Sequence, residues 1–320
     1  MNILITGGLG YIGGRLAAYI KETTKNKVVL STRNKEKKLP AWAADFRVLR
    51  MDVLDRNSIE QCLNESQPDV VIHLGASNIN ECNENSQMAI DVNVKGTYRL
   101  LEAAHQVGVK RFVYLSTFHV YGDLKGRITE KTIPKPASMY AVTKRCGEDF
   151  VSCFRLRHHM QTLILRLSNV YGCPMDKDVN VWPLAFNSFC RQCVENGKIL
   201  IKSNQYRDFI AMSDVVRAVC YLLFDVPDQW QEGVFNLGGD QSMSVLKAAR
   251  QVASIYGEYS GKRLVPVERP LEDPGQMMMN PFRYSIDKLK HAGFQVEGKM
   301  KEEVIKTIMM CEALKKERPV

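Results

Sequence analysis

Near the amino terminus the sequence reads Asn2-Ile3-Leu4-Ile5-Thr6-Gly7-Gly8-Leu9-Gly10-Tyr11-Ile12-Gly13-Gly14, an apolar run that passes straight into a glycine cluster. Ile3, Leu4 and Ile5 before a glycine turn read as a short buried strand. Glycines at 7, 10 and 13 allow a tight turn and the close approach of a pyrophosphate. A helix starting at Tyr11 and Ile12 would point its first N–H groups and the positive end of its dipole at that anion. Strand, glycine loop and helix in this order mark a dinucleotide site, with Gly7, Gly10, Tyr11, Ile12 and Gly13 around the cofactor.

Outward from this loop, β-rich runs alternate with helical stretches. Strands are expected at Lys27–Ser31, Arg47–Met51, Val70–His73, Arg111–Ser116 and Gln161–Arg166, and helices at Ile90–Val107 and Ser138–His158. That alternation calls for βαβ units, a parallel sheet covered on both faces and right-handed crossovers, hence an α/β doubly wound (Rossmann) fold. Beyond about Gly172 the pattern loosens. We expect a dinucleotide-binding domain over 1–172 and a smaller substrate lobe over 173–320, with elements around 205–240 returning to the first sheet. The run from Lys301, with Val304, Ile305, Ile308 and Met309 at helical spacing, reads as a packed surface helix.

Composition narrows the class. The 320 residues are 45% hydrophobic and 25% charged, which excludes a disordered, collagen-like or small disulfide-held chain. No apolar run is long enough to span a bilayer, so no membrane partner is expected. A strand at Asn2–Thr6 leaves no room for a signal peptide, and nine cysteines then suit reduced thiols in the cytoplasm. The net charge of +9 admits nucleic acid or an anionic small molecule as partner. No recognition helix or interleaved basic and aromatic surface is evident, so nucleic acid is not expected. Cys190 and Cys193 lack a second ligand pair and read as helix packing, with no metal expected.

The end of the second strand selects the dinucleotide. A diol-binding acid would stand after Val28-Val29-Leu30, but Ser31-Thr32-Arg33 stand there, and the first carboxylate is Glu36. A carboxylate repels a ribose 2′-phosphate, whereas Ser31 and Arg33 can hydrogen-bond to one, so NADP is expected, with NAD as the alternative. Asp52-Val53 after the third strand would reach the adenine, and Leu74-Gly75-Ala76 after the fourth would let the backbone approach the cofactor.

Tyr140 and Lys144 are spaced i, i+4 at the start of a helix and share a face. A nearby ammonium favours the phenolate and brings the tyrosine toward use as a base. Alone the pair would read as surface decoration; beside a glycine loop and Ser116-Thr117 at a strand end it reads as chemistry.

These motifs together resemble the extended short-chain dehydrogenase/reductases of the nucleotide-sugar epimerase/dehydratase family, over nearly the whole chain. Thr6–Gly14 matches that family's cofactor loop, and Asn93-Val94-Lys95-Gly96-Thr97 its Asn-Val-x-Gly-Thr segment, which implies that Asn93 supports the cofactor and active site. Leu115–Gly122 resembles the segment whose Thr, here Thr117, bonds the reacting sugar hydroxyl. Tyr140 and Lys144 fall on the base and the ribose-binding lysine. Arg166–Gly172 and Arg207–Ile210 resemble elements that place Asn169 and Arg207 against a sugar diphosphate. The resemblance implies a nucleotide-sugar substrate, hydride transfer at C4, and a homodimer paired through the helices at 90–107 and 138–158.

Two departures shape the expectation. Where the family's 4,6-dehydratases carry an Asp-Glu pair after the Thr, this chain has Phe118 and His119, which argues against loss of water. The missing acid after the second strand points away from tightly held NAD. An NADPH-linked 4-ketoreductase is therefore expected first and a 4-epimerase second. A non-catalytic NADP-binding regulator is the rival class, set back by the presence of Thr117, Tyr140 and Lys144 together. In Val265–Arg283, Arg269 and Arg283 suit a substrate loop, and Met277-Met278-Met279 a flexible apolar wall or a packed loop.

Overall fold

In the computed structural model, which describes residues 1–33, 38–230, 232–261, 265–269 and 281–317, the chain divides into two units. The first comprises Met1–Asp123, Glu130–Leu167 and Cys220–Asn236; the second comprises Leu124–Thr129, Ser168–Val219 and Leu237–Val320.

A seven-stranded sheet organises the first unit. Its strands are β1 (Asn2–Thr6), β2 (Lys27–Thr32), β3 (Arg47–Arg50), β4 (Val70–His73), β5 (Arg111–Thr117), β6 (Gln161–Leu167) and β7 (Val234–Leu237), in the spatial order β7-β6-β5-β4-β1-β2-β3. From β3 to β6 the neighbours pair in parallel. Parallel strands need both faces covered, which is why β1, β4 and β5 are nearly continuous runs of Ile, Leu, Val and aromatic residues. One face packs Leu4, Val71, Phe112 and Ile164 against Ile59, Leu63, Leu100, Leu101 and Val151. These helical residues come from α2 (Arg56–Ser66), α3 (Thr97–Gln106) and α4 (Met139–His158). Ile3 and Ile5 alternate to the opposite face, and α1 (Tyr11–Thr23) buries Leu16, Ala17 and Ile20. This is the doubly wound α/β Rossmann arrangement, with its order reversing between β1 and β4.

Two expectations change. The stretch read as one helix over Ile90–Val107 contains a π-helical segment, Asp91–Gly96, between Ser86–Ile90 and α3. A wider turn there matters for the site. Of the 205–240 region, only Cys220–Asn236 belongs to the first unit. The strand Tyr206–Ala211 instead pairs with Asn169–Tyr171 and Ser242–Ser244 in a sheet of its own. That small sheet lies in the second unit, which takes up the chain from Ser168.

The second unit has its own core, in which Phe186, Phe189, Cys190, Cys193, Leu246, Ala249, Val252, Val304 and Ile308 meet. Burial accounts for Cys190 and Cys193 as packing residues. The helix Met300–Lys316 buries Glu303, Val304, Thr307, Ile308 and Cys311. Met309, expected on that buried stripe, faces outward at 54% exposure. Among the described residues no helix is long and apolar enough to cross a membrane.

Candidate active site

The order reversal between β1 and β4 opens a crevice at their carboxyl ends, and the glycine loop fills one side of it. Gly7 follows β1 with φ +64°, and a side chain there would meet the backbone N of Gly75, at the end of β4, at 3.0 Å. At Gly13 a Cβ would lie 2.4 Å from the Gly7 carbonyl oxygen, so only glycine lets α1 close onto the loop. The space so formed is a cavity of about 280 Å³ whose lining includes Gly7, Gly10, Ser31, Arg33, Asp52, Val53, Gly75 and Ala76. Thus eight of the residues expected around a dinucleotide share one wall. The backbone cradle and the carboxylate-free end of β2 suit a dinucleotide. Ser31 is buried and Arg33 exposed at the cavity edge. The intervening residues up to Glu36 lie outside the described residues.

Other expected cofactor residues sit behind that wall. Tyr11 and Ile12 form the first turn of α1. The Leu74 amide donates to Thr6 Oγ1 at 3.2 Å. Asn93 is buried, and its side chain is consumed by the protein. Its Oδ1 accepts from Ser77 N at 2.7 Å, and its Nδ2 donates to Ser77 O at 3.2 Å and Thr143 Oγ1 at 3.1 Å. Asn93 is therefore a support for the site and not a surface offered to a cofactor, because its polar atoms already have partners.

Thr117 ends β5, and Tyr140 opens α4, whose N-cap is Ser138, accepting from Ala141 N at 3.3 Å. Thr117 lies close enough to Tyr140 to act on its pKa, and Thr117 Oγ1 accepts from His119 N at 3.2 Å. Tyr140 is half-buried as a residue, but its hydroxyl end is deep. Burial pushes its pKa up to about 12, with Thr117 pulling the other way. Lys144, one turn on, is 2% exposed, with Nζ 4.1 Å from the centre of the Tyr114 ring. Burial draws its pKa down to about 7, against an upward pull from Glu148. The sequence-based expectation placed the lysine charge beside the tyrosine. Here Lys144 lies over Tyr114, and Thr117 is what lowers Tyr140.

Beneath this pair lies a network that sequence reasoning missed. Glu148 accepts from Ser116 Oγ at 2.6 Å and from Arg166 Nη2 at 2.7 Å. Arg166 Nη1 donates to Tyr121 Oη at 2.9 Å, and Tyr121 Oη to Asn236 Oδ1 at 2.6 Å. Burial works against the Arg166 cation, yet its bonds to Glu148 raise its pKa. Glu148 is thus shared among Ser116, Arg166 and Arg145, and its charge also raises the pKa of Lys144 against burial. The ring of Tyr114 reaches under α4 through Gly147, where a Cβ would lie 2.2 Å from Tyr114 Oη.

In the second unit, Asn169 and Arg207 lie on neighbouring strands, and Asn169 Nδ2 donates to Asp208 O at 2.9 Å. Arg207 is half-buried, and burial lowers its pKa. Its guanidinium donates to neutral oxygens, Gln205 Oε1 at 2.6 Å and Tyr206 O at 3.5 Å. Next to it Asp208 is fully buried and accepts from Gly239 N and Gln241 N; burial pushes its pKa up to about 6. Arg283 pairs with Asp240 and Asp287, while Met277–Met279 lie outside the described residues. His158 and His159 are exposed at the end of α4. Among the described residues, no three His, Cys, Asp or Glu side chains gather as a metal site.

Comparison with known proteins gives the family and the fold. The chain is 26% identical over 321 residues to a dTDP-D-glucose 4,6-dehydratase of Bos taurus, covering 96% of this chain and 87% of that one. A UDP-glucose 4-epimerase of Thermus thermophilus, solved with NAD, superposes with a TM-score of 0.80 at 24% identity, covering 97% and 99% of the two chains. RMD from Pseudomonas aeruginosa, solved with NADPH, gives 0.78 at 22% identity over 98% and 100%. A family model described as the NAD-dependent epimerase/dehydratase family matches residues 3–238, and the chain belongs to that family.

Proposed function

We propose that this chain transfers hydride at C4 of a nucleotide-activated sugar, and that its net reaction is NADPH-linked reduction of a 4-keto sugar nucleotide. The observation that carries the reading is Thr117 at the end of β5 beside Tyr140, which lies one helical turn before the buried Lys144. A bound nicotinamide dinucleotide would supply the hydride. Thr117 and Tyr140 hold the sugar oxygen, and Tyr140 passes it a proton. At a pKa near 12 Tyr140 stands as the neutral phenol, which is the form that a carbonyl reduction needs at the outset. Lys144 holds the nicotinamide ribose and offers a charge that its depressed pKa can turn on or off near neutrality.

Ser31 and Arg33, at the carboxylate-free end of β2, take the 2′-phosphate, which favours NADP over NAD. Arg207, desolvated and bonded to neutral oxygens, suits an anion, and with Asn169 it takes the sugar diphosphate. Phe118 is buried, and no carboxylate follows Thr117, so loss of water lacks its acid and base. The face carrying Tyr98 and Val142, each 39% exposed on α3 and α4, is the one through which the chain pairs as a homodimer.

A second reading, 4-epimerisation with a retained NAD, has support from the likeness to the Thermus epimerase. Denaturing freshly purified protein and identifying the released nucleotide separates the two. NADP(H), or uptake of NADPH by an empty protein followed by its oxidation with 4-keto sugar nucleotides, supports reduction. Near-stoichiometric NAD, with interconversion of UDP- or dTDP-hexoses, would replace it with epimerisation.

A further inference from the structure

His73 ends β4, is 1% exposed and packs its ring between Phe112 and Tyr114, with centroids 6.0 and 5.9 Å away. Both ring nitrogens are bonded, Nδ1 to Thr6 Oγ1 at 2.7 Å and Nε2 to Thr97 Oγ1 at 3.2 Å. The partners fix which nitrogen carries the proton. Thr97 gives its single hydroxyl proton to Asn93 O at 2.7 Å, so toward His73 it can only accept. Thr6 Oγ1 accepts from the Leu74 and Gly75 amides at 3.2 and 3.1 Å, and its own proton goes to Nδ1. The ring is therefore neutral, with hydrogen on Nε2.

The chain of bonds does not stop there. Asn93 donates from Nδ2 to Thr143 Oγ1 at 3.1 Å, and Thr143 donates to the Tyr140 carbonyl at 3.0 Å. The hydroxyls of Thr6, Thr97 and Thr143 donate to His73 Nδ1, Asn93 O and the Tyr140 carbonyl, and Asn93 Nδ2 also reaches Cys82 Sγ at 3.6 Å. A buried hydrogen-bonded network of this kind stiffens what it joins. One end is the Gly7–Gly75 contact at the cavity, and the other is the peptide of Tyr140. The link passes through the π-helical turn Asp91–Gly96, the irregular piece of an otherwise regular layer.

We propose that His73, as its Nε2–H tautomer, is a positioning residue that fixes Tyr140 relative to the glycine cavity, through Thr97, Asn93 and Thr143. The inference rests on the reading of Tyr140 and the cavity given above. Its test uses readouts that need no known substrate. In the full-length protein, His73→Asn keeps an acceptor beside Thr6 and removes the donor to Thr97, whereas His73→Gln places an amide donor where Nε2 stood.

Hydrogen exchange of the amides at 138–143 should quicken about tenfold in His73→Asn, as expected when a buried bond is lost, while β6 at 161–167 keeps its protection. His73→Gln should restore most of the protection at 138–143. NADPH affinity, followed by cofactor fluorescence, should stay within about threefold in His73→Asn. With a substrate in hand, kcat should fall about 10–100-fold at unchanged KM for the dinucleotide, the cost of a misplaced acid. Long-range nitrogen NMR of labelled histidine should show His73 protonated at Nε2 alone. Unchanged exchange at 138–143, equal loosening of β6, or a proton on Nδ1 would overturn the proposal. Failure to turn over any sugar nucleotide, with the exchange pattern as expected, would count against the functional reading and leave the link standing.

Discussion

The two ends of the candidate site in the first unit are built in different materials. Where β1 and β4 part, the cavity is shaped by backbone: Gly7 at φ +64°, Gly13 against the Gly7 carbonyl, and Gly75 close to Gly7. Where β5 meets α4, the work is done by buried ionisable side chains, Lys144, Glu148, Arg166, Tyr114 and Tyr140. A backbone-built site needs no desolvated charge and is specified by the absence of side chains. A side-chain-built site takes ionisable groups out of water and, at Lys144, weakens the hold on a proton, at a cost in stability that packing must offset.

This contrast says that changes at the two ends should fail differently. The largest effect belongs to Tyr140→Phe. Turnover should fall by ~10²–10⁴-fold, the usual contribution of a positioned acid or base, with dinucleotide affinity nearly intact. Next comes the ion pair: Arg166→Met removes the buried cation from Glu148, leaves the carboxylate only the more exposed Arg145 at 3.1 Å, and should cost about 3 kcal/mol in denaturant unfolding. Replacing both partners, Arg166→Met with Glu148→Leu, should recover much of that loss.

Lys144→Met sharpens the comparison in the opposite direction, because it should stabilise the fold while abolishing activity. Burial lowers the lysine from 10.5 to about 7, so the folded protein binds its proton less well than the unfolded chain. That penalty is complete below pH 7 and fades as pH rises toward 10.5. The gain in stability, on the order of 2–4 kcal/mol, should be full at pH 6 and nearly gone at pH 10. A gain that did not depend on pH would contradict a charge-based cost.

At the backbone end, Gly13→Ala should lower dinucleotide affinity and cost about 1–3 kcal/mol, since its Cβ meets carbonyl oxygen rather than a yielding side chain. The smallest change expected is Arg33→Ala. It removes one charge-assisted contact and should weaken NADPH binding about tenfold while leaving NADH binding unaltered.

The same difference decides what the sequence disclosed. The glycine end was legible because positive φ and backbone contact leave almost no choice of residue, and Gly7, Gly10 and Gly13 advertise that constraint. Strand positions were legible because buried parallel strands are continuous apolar runs. Tyr140 and Lys144 were legible through helical spacing. Glu148 was not, since an acid four residues after a lysine and three after Arg145 has the pattern of an exposed helix pair. Only the placement of β6 beside β5 brings Arg166 to it. His73 carried no spacing signal at all; its partners Thr6 and Thr97 belong to β1 and α3, and strand order alone brings them together. For the same reason the expectation for 205–240 named no strand order: Val234–Leu237 joins the first sheet and Tyr206–Ala211 another, and a short strand's sequence does not say which sheet it joins.

The central claim, hydride transfer at C4 with Tyr140 moving the proton, is open to one direct measurement. The protein would be given NADPH deuterated at its transferable position, with UDP- and dTDP-4-keto hexoses, and the sugar product followed by mass spectrometry and NMR. We expect one deuterium at C4 with the wild-type chain and none above background with Tyr140→Phe. Deuterium at no sugar carbon, or the same incorporation by the variant, would contradict the account.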